Sequence, residues 1–146
     1  MDDQMRKKAI KIGIMPYQQF KKYTMAIARG QYKPKKTEPK IWFESIKSLA
    51  QILSNENQQL LQLIIDQEPD SIKELAEAAG RKSNNVSRTL KTLKRYGIVD
   101  LIPHKRTVKP VVLITNFTVE FGLSSTNAPF LIDDKARTDI RRPTAY

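Results

Sequence analysis

The sequence predicts an α+β fold that is mainly α, and three observations support this. Apolar residues recur at helical spacing through much of the first hundred residues. Residues 71–97 hold two helix signals separated by a short turn that contains Gly80. Two runs of β-forming residues follow Gly97, which indicates a hairpin. We therefore predict a winged helix-turn-helix with an N-terminal strand-helix extension and an extended C-terminal tail.

The composition excludes several classes of site and location. The chain has no cysteine, which rules out disulfides, thiolate metal sites and cysteine nucleophiles. It has no apolar run long enough to span a membrane, and its first residues lack a secretory signal. Its single histidine, His104, falls in a predicted turn. We therefore expect a cytoplasmic protein that is not an enzyme, with no catalytic residues, metal site or cofactor.

Positive charge is concentrated in two blocks. The chain has 26 Lys and Arg against 15 Asp and Glu, for a net charge of +11. Basic residues outnumber acidic ones by eight in residues 1–40 and again by eight in residues 81–110. Residues 41–80 are acidic, with an excess of five carboxylates. This distribution favours an anionic partner such as nucleic acid.

The first forty residues predict a strand, a helix and a linker. Lys8–Met15 alternates, with Ile10, Ile12 and Ile14 on one side, and indicates a short strand. Pro16 suits the first turn of a helix, which ends near Gly30. Its apolar stripe would contain Phe20, Tyr23, Thr24 and Ile27. Residues 31–40 hold two prolines, four lysines and no aliphatic side chain, and are typical of a loop or linker.

Two further helices are predicted before the helix-turn-helix. Residues 41–43 are compatible with a short strand or a turn. Ser45 is a candidate cap for a helix whose inner face would be Ile46, Leu49, Ala50 and Leu53. Residues 55–67 predict a second helix, ended by Glu68 and Pro69, with an apolar stripe of Leu60, Leu61, Ile64 and Ile65.

The helix-turn-helix has clear start and stop signals. Ser71 and Glu74 have the spacing of a capping box, and Gly80 occupies a C-cap position. Ile72, Leu75, Ala76 and Ala79 would face inward. Ser83 is expected to cap a second helix that runs to Tyr96, with Gly97 as its stop. Residues 103–107 then predict a polar turn between two strands, and residues 116–122 are compatible with one more strand.

The second helix of this pair separates into an apolar face and a basic face. At about 100° per residue, Val86, Leu90 and Leu93 fall on one side. Asn84, Arg88, Lys91 and Arg95 fall on the other, flanked by Ser87 and Thr92, with no acidic residue. Asn pairs with adenine and Arg with guanine in the major groove, while Lys and Arg reach phosphates. The predicted DNA-binding residues are Arg81, Lys82, Ser83, Asn84, Asn85, Ser87, Arg88, Lys91, Thr92, Lys94 and Arg95, with Lys105 and Arg106 at the hairpin tip.

Residues 71–101 resemble the winged-helix core of MarR-like transcriptional regulators. The positions that match are Leu75, Ala76, Gly80, Val86, Ser87, Leu90, Leu93, Gly97 and Val99. The resemblance implies that residues 83–94 form the recognition helix and residues 99–112 the wing. The flanks are similar to short prokaryotic antitoxin-type regulators encoded beside small toxins, through residues 26–30, 42–43 and 48–57.

These observations predict three regions and one leading function. Residues 1–40 would be a basic segment for dimerisation or a partner, residues 41–122 the winged helix-turn-helix, and residues 123–146 an extended tail. The leading hypothesis is a homodimeric, autoregulating repressor that binds double-stranded DNA. The first alternative is an antitoxin that neutralises a toxin by protein contact. The second is an RNA-binding protein, because Tyr17, Phe20, Tyr23 and Tyr32 are interleaved with lysines.

Overall fold

A computed structural model describes residues 8–123 of the chain, and the predicted tail falls almost wholly outside this range. The described residues form a mixed α and β structure. The strands are β1 (Lys8–Ile14), β2 (Ile41–Phe43), β3 (Val99–His104), β4 (Thr107–Val112) and β5 (Ile114–Glu120). The helices are α1 (Tyr17–Ala28), α2 (Ile46–Ile52), α3 (Asn55–Gln67), α4 (Ile72–Ala79) and α5 (Ser83–Arg95). Two sheets are formed, one with the order β2-β1-β5 and one that pairs β3 with β4.

The chain divides into two compact units. Within the described range, the larger unit contains residues 8–10 and 47–118, and the smaller unit contains residues 11–46 and 119–123. The larger unit therefore holds α2 to α5 and the β3–β4 hairpin. These boundaries differ from the division at residues 40 and 122 expected from composition, and that three-part division stays a prediction.

Helix α3 forms because its N-cap, its apolar stripe and its C-terminal stop signal all favour a helix over the same residues. The Ser54 hydroxyl accepts a hydrogen bond from the Asn57 amide at 3.2 Å, which satisfies one of the free donors of the first turn. The predicted stripe is confirmed by the burial of Leu60, Leu61 and Ile64, and its fourth member, Ile65, is half-buried. Glu68 ends the helix in a left-handed conformation with φ of 46°, before the buried Pro69.

Helices α4 and α5 pack on each other across a short turn. The Ser71 hydroxyl accepts from the Glu74 amide at 3.1 Å, as the capping-box spacing predicts. Gly80 ends α4 at φ of 67°, where a side chain is disfavoured. The prediction that Ser83 caps α5 is wrong. Lys82 occupies the cap position without a side-chain hydrogen bond, and Ser83 is the first helical residue.

The β3–β4 hairpin has a shorter turn than predicted. The register runs from Val99 opposite Val112 to His104 opposite Thr107, which leaves a two-residue connection. The first of those residues, Lys105, has φ of 55°, as tight hairpins require. Residues 103, 104 and 107 therefore lie in strands, and the expected turn over residues 103–107 is wrong. Pro103 is tolerated because β3 pairs only with β4 in the described chain, so one edge needs no donor there.

In the smaller unit, β1, α1 and β2 form a β-α-β arrangement. β1 and β2 are parallel, with Ile12 opposite Ile41 and Ile14 opposite Phe43, and all four side chains are buried. Gly13 lies opposite Trp42, and a Cβ at this position would come within 2.3 Å of the indole ring.

Helix α1 packs through Tyr23, which is 5 % exposed. Tyr23 and Met15 form a core cluster that is joined by Phe20, Ile27, Tyr32 and Trp42. The predicted stripe is therefore confirmed except at Thr24, which is exposed.

The predicted inner face of α2 is wrong. The helix has seven residues and buries none of them. Ile46 is 44 % exposed and Ala50 is also exposed, while Leu49 and Leu53 are half-buried. The apolar residues do recur at helical spacing, but so short a helix brings only part of them against other side chains.

Candidate nucleic-acid interface

The orientation of α5 is fixed by three buried side chains. Val86, Leu90 and Leu93 are 0 % exposed, as their spacing predicts. Burying a side chain of this size stabilises a protein by about 1.5–3 kcal/mol, so turning the helix about its axis is strongly disfavoured. The residues on the opposite side of α5 are therefore held at the surface.

The opposite side of α5 has the composition that the sequence predicts. Asn84, Arg88, Lys91 and Arg95 are all exposed, and α5 contains no Asp or Glu. Thr92 links two of these residues: its hydroxyl donates to the Arg88 carbonyl at 3.1 Å and accepts from the Arg95 guanidinium at 3.2 Å. We call Asn84, Arg88, Lys91, Thr92 and Arg95 the basic face of α5.

The N-terminal end of α5 adds further donors. Lys82 and Ser83 are exposed, while Ser87 is half-buried. The first turn has no acidic residue, and its free amides carry the partial positive charge of a helix N-terminus. An anion beside this end would therefore meet positive potential from both the backbone and the side chains.

Arg81 is engaged within the protein, which the sequence did not indicate. Its guanidinium donates to the Asn85 side-chain oxygen from two nitrogens, through Nε at 3.1 Å and through Nη2. It also donates to the Thr89 hydroxyl at 3.2 Å and to the Asn57 side-chain oxygen at 3.5 Å. All three acceptors are neutral, so the positive charge stays uncompensated while the side chain is held in place. Nothing in the spacing of Asn57 and Thr89 pointed to this cluster.

Lys94 has a carboxylate neighbour. Its Nζ lies 3.8 Å from the Asp100 carboxylate, with both side chains about half exposed. Asp100 is the one acidic residue among residues 81–110, so it reduces the positive charge at the C-terminal end of the basic face. The assignment of Lys94 to phosphate contact stays a prediction.

The hairpin is fixed to the loop before α4 through Asp70, which contacts residues beside the turn. The Asp70 backbone carbonyl accepts from the Thr107 hydroxyl at 3.3 Å, and its carboxylate lies 3.4 Å from Lys109 Nζ. The same carboxylate is 3.9 Å from His104 Nε2. Lys105 and Arg106 remain exposed at the tip. The predicted tip residues thus stand on an anchored hairpin, and Asp70 is a positioning residue that sequence reasoning missed.

The smaller unit contains a buried carboxylate that was also missed. Glu38 is 8 % exposed and accepts from the Tyr23 hydroxyl at 3.2 Å, the Tyr32 hydroxyl, and the Lys35 amide at 2.7 Å. Burial, together with the nearby Glu38 charge, raises the pKa of Tyr23 to about 12 and also raises the pKa of Tyr32. The segment predicted as a linker is therefore a loop held by its own carboxylate.

This network changes the interpretation of the aromatic residues near the lysines. Tyr23, Tyr32 and Phe20 pack in the core cluster, with the Tyr23 ring 5.8 Å from the Tyr32 ring and 6.2 Å from the Phe20 ring. Of the four aromatic residues considered as stacking platforms, Tyr17 alone is largely exposed, at 60 %.

Residues 8–123 contain no group of three or more His, Cys, Asp or Glu side chains arranged to hold a metal ion. No helix in the described chain combines the length and the apolar character needed to cross a membrane.

Part of the chain is similar to a known protein family. Residues 52–119 match the model of a protein family described as HVO_A0114, a description that names no activity. The matched region covers α3, α4, α5, the hairpin and nearly all of β5. No curated protein matches the sequence.

Proposed function

We propose that the chain is a sequence-specific, double-stranded DNA-binding transcriptional regulator in which α4, α5 and the β3–β4 hairpin act as a winged helix-turn-helix. The basic face of α5 carries this proposal. Its amide and basic side chains are exposed, it has no acidic residue, and it is held outward by a fully buried opposite face. Surface helices that serve only solubility interleave Glu with Lys, and α5 does not.

The arrangement supplies both kinds of contact that DNA recognition needs. Asn84 lies near the start of α5, where a recognition helix meets base edges, and Arg88 follows one turn later on the same face. Lys91 and Arg95 extend the face toward the phosphates on either side of a groove. The anchored hairpin would present Lys105 and Arg106 to the backbone or the minor groove beside it.

Homodimerisation and autoregulation belong to the same proposal. Dimers of helix-turn-helix proteins read two half-sites about 34–36 Å apart, so a footprint on the region upstream of the gene should show two protected segments at that spacing. The resemblance to MarR-like and antitoxin-type regulators agrees with this proposal. No catalytic role is part of it.

The experiment is a footprint followed by mobility shifts with matched variants. Arg88→Ala should weaken binding to the protected site about tenfold or more, since a bidentate Arg–guanine pair contributes about 1–3 kcal/mol. Lys91→Ala should weaken specific and non-specific duplexes alike and reduce the salt slope by about 0.9. Lys47→Ala removes the same charge from an exposed position on α2 and serves as the control. A folded protein that protects no site would refute sequence-specific binding.

The protein-contact alternative has a separate test. Co-purification with the neighbouring gene product would support neutralisation of a toxin, whereas a chain that purifies alone and protects its own upstream region supports the repressor.

A further inference from the structure

We propose that α1 and the loop after it form a second, sequence-independent surface for the phosphate backbone of nucleic acid. This surface belongs to the smaller unit, which does not contain α5. It consists of seven exposed basic side chains: Lys21, Lys22, Arg29, Lys33, Lys35, Lys36 and Lys40. We call these residues the α1 basic surface. The proposal does not require α5 to read bases.

The structure takes the one carboxylate of residues 17–40 away from the surface. Glu38 is the only acidic residue between positions 17 and 40, and it is buried. Its oxygens accept from two tyrosine hydroxyls and the Lys35 amide, so they face the interior of the unit. The sequence alone gives a mixed loop, whereas in the fold the exposed charged side chains of residues 17–40 are all basic.

The cations also lack internal counter-ions. None of the seven takes part in an ion pair within residues 8–123. Lys11, by contrast, lies 3.4 Å from Glu120, which shows that a basic residue of the same unit can be paired when a carboxylate is present. Seven uncompensated cations repel one another, and this repulsion is relieved when a polyanion binds.

The packing of α1 places three of these cations on one exposed side. Tyr23 is buried, and Phe20 and Ile27 pack against the core cluster on the same side of the helix. At about 100° per residue, Lys21, Lys22 and Arg29 fall within about 50° of the opposite direction. They extend over about 12 Å of helix axis, at about 1.5 Å per residue. This length matches about three to four phosphates of one strand, which carry one charge per about 3.4 Å.

The loop cations are held in the same unit rather than on a free linker. The amides of Gln31 and Tyr32 both donate to the Ala26 carbonyl, at 2.9 and 3.2 Å. At its other end, the Lys40 amide donates to the Lys11 carbonyl at 3.0 Å. Between these ends, Glu38 fixes the turn. A prearranged surface loses less conformational entropy on binding than a disordered basic tail does.

Nucleic acid fits this surface better than a protein partner or a second copy of the chain. The cores of protein interfaces are depleted in lysine, and six of these seven residues are lysines. A second copy would bring two surfaces of the same sign together. A phosphate backbone instead gains free energy from each lysine through release of bound counter-ions.

The test measures how the full chain binds a duplex of arbitrary sequence at KCl concentrations from about 50 to 200 mM. Lys21→Gln combined with Lys22→Gln should make the plot of log affinity against log salt shallower by about 1.8, at about 0.9 per lost contact. Gln preserves helix propensity, so α1 should remain folded. Gln18→Lys, which adds a cation on the same side of α1, should make the slope steeper by about 0.9.

A charge-matched control separates local contact from net charge. Gln51→Glu combined with Gln59→Glu changes the net charge by the same amount at exposed positions on α2 and α3. The proposal is overturned if this control and the Lys21/Lys22 variant give the same slope, or if neither changes it. Arg88→Ala and Lys91→Ala test α5 in the same assay. Loss of binding in those variants alone would refute the α1 basic surface and leave the proposed function standing. Loss of binding in the Lys21/Lys22 variant alone would refute the proposed role of α5 and leave the α1 basic surface standing.

Discussion

Replacing Glu38 by Gln should destabilise the smaller unit by about 2 kcal/mol. The substitution keeps the shape of the side chain but removes its charge and one of its two acceptor oxygens. If the remaining carbonyl takes the place of Oε2, it still accepts from Tyr32 and from the Lys35 amide. The Tyr23 hydroxyl, which donates to Oε1 at 3.2 Å, would then face an amide NH₂.

The magnitude follows from this loss. A hydrogen bond to a charged group contributes about 1.5–3 kcal/mol, and the weakening of the two retained bonds is partly offset by the lower cost of burying a neutral amide. A net loss of about 2 kcal/mol corresponds to a fall of about 1 M in the urea midpoint for a slope near 2 kcal/mol per molar.

The assay uses the one tryptophan of the chain. The Trp42 ring lies 5.6 Å from the Tyr23 ring, so its fluorescence reports on the cluster around Glu38. Urea unfolding at neutral pH should give the lower midpoint with an unchanged slope. Glu44→Gln removes an exposed carboxylate from the same unit and should change the stability by less than about 0.5 kcal/mol. Equal midpoints for the two variants, or a more stable Glu38→Gln protein, would refute the reasoning.

Three further predictions follow from the packing. Because the pKa of Tyr23 is raised to about 12 in the folded protein, its hydroxyl contributes stability that is fully present below about pH 10 and is lost as the pH rises toward about 12. Alkaline titration should therefore destabilise the wild-type cluster more steeply than that of Tyr23→Phe. Leu90→Ala should cost about 2–5 kcal/mol in thermal or urea unfolding, and a cost below 1 kcal/mol would contradict full burial. Gly13→Ala should displace Trp42 and change its fluorescence spectrum, because the added Cβ would meet the indole at 2.3 Å.

The helices of the larger unit were predictable because their signals are local. The apolar stripe of α3 and the cap at Ser71 depend on residues within a few positions of one another, and the structure confirms both. The side of α5 that faces outward follows from the same periodicity. Ser83 was wrongly predicted as a cap because residue type alone does not decide which of two neighbouring positions begins the helix.

The features that were missed depend on residues far apart in the sequence. Tyr23 and Glu38 are fifteen positions apart, and no pattern in a loop rich in lysine and proline indicates that its carboxylate turns inward. Asp70 meets Thr107 across 37 positions. Such pairs are set by how helices and strands pack, which periodicity does not specify.

The Asp70 contacts also make the position of the hairpin sensitive to salt concentration. The Lys109 ammonium lies 3.4 Å from its carboxylate, and Asp70 is 55 % exposed there. Attractions at such a position weaken as the Debye length shrinks from about 10 Å at 0.1 M salt. Rising ionic strength would therefore weaken the ion pair that helps to hold the residues beside the turn. It would also screen Lys105 and Arg106, so the tip would be both less firmly positioned and less strongly attracted to an anion.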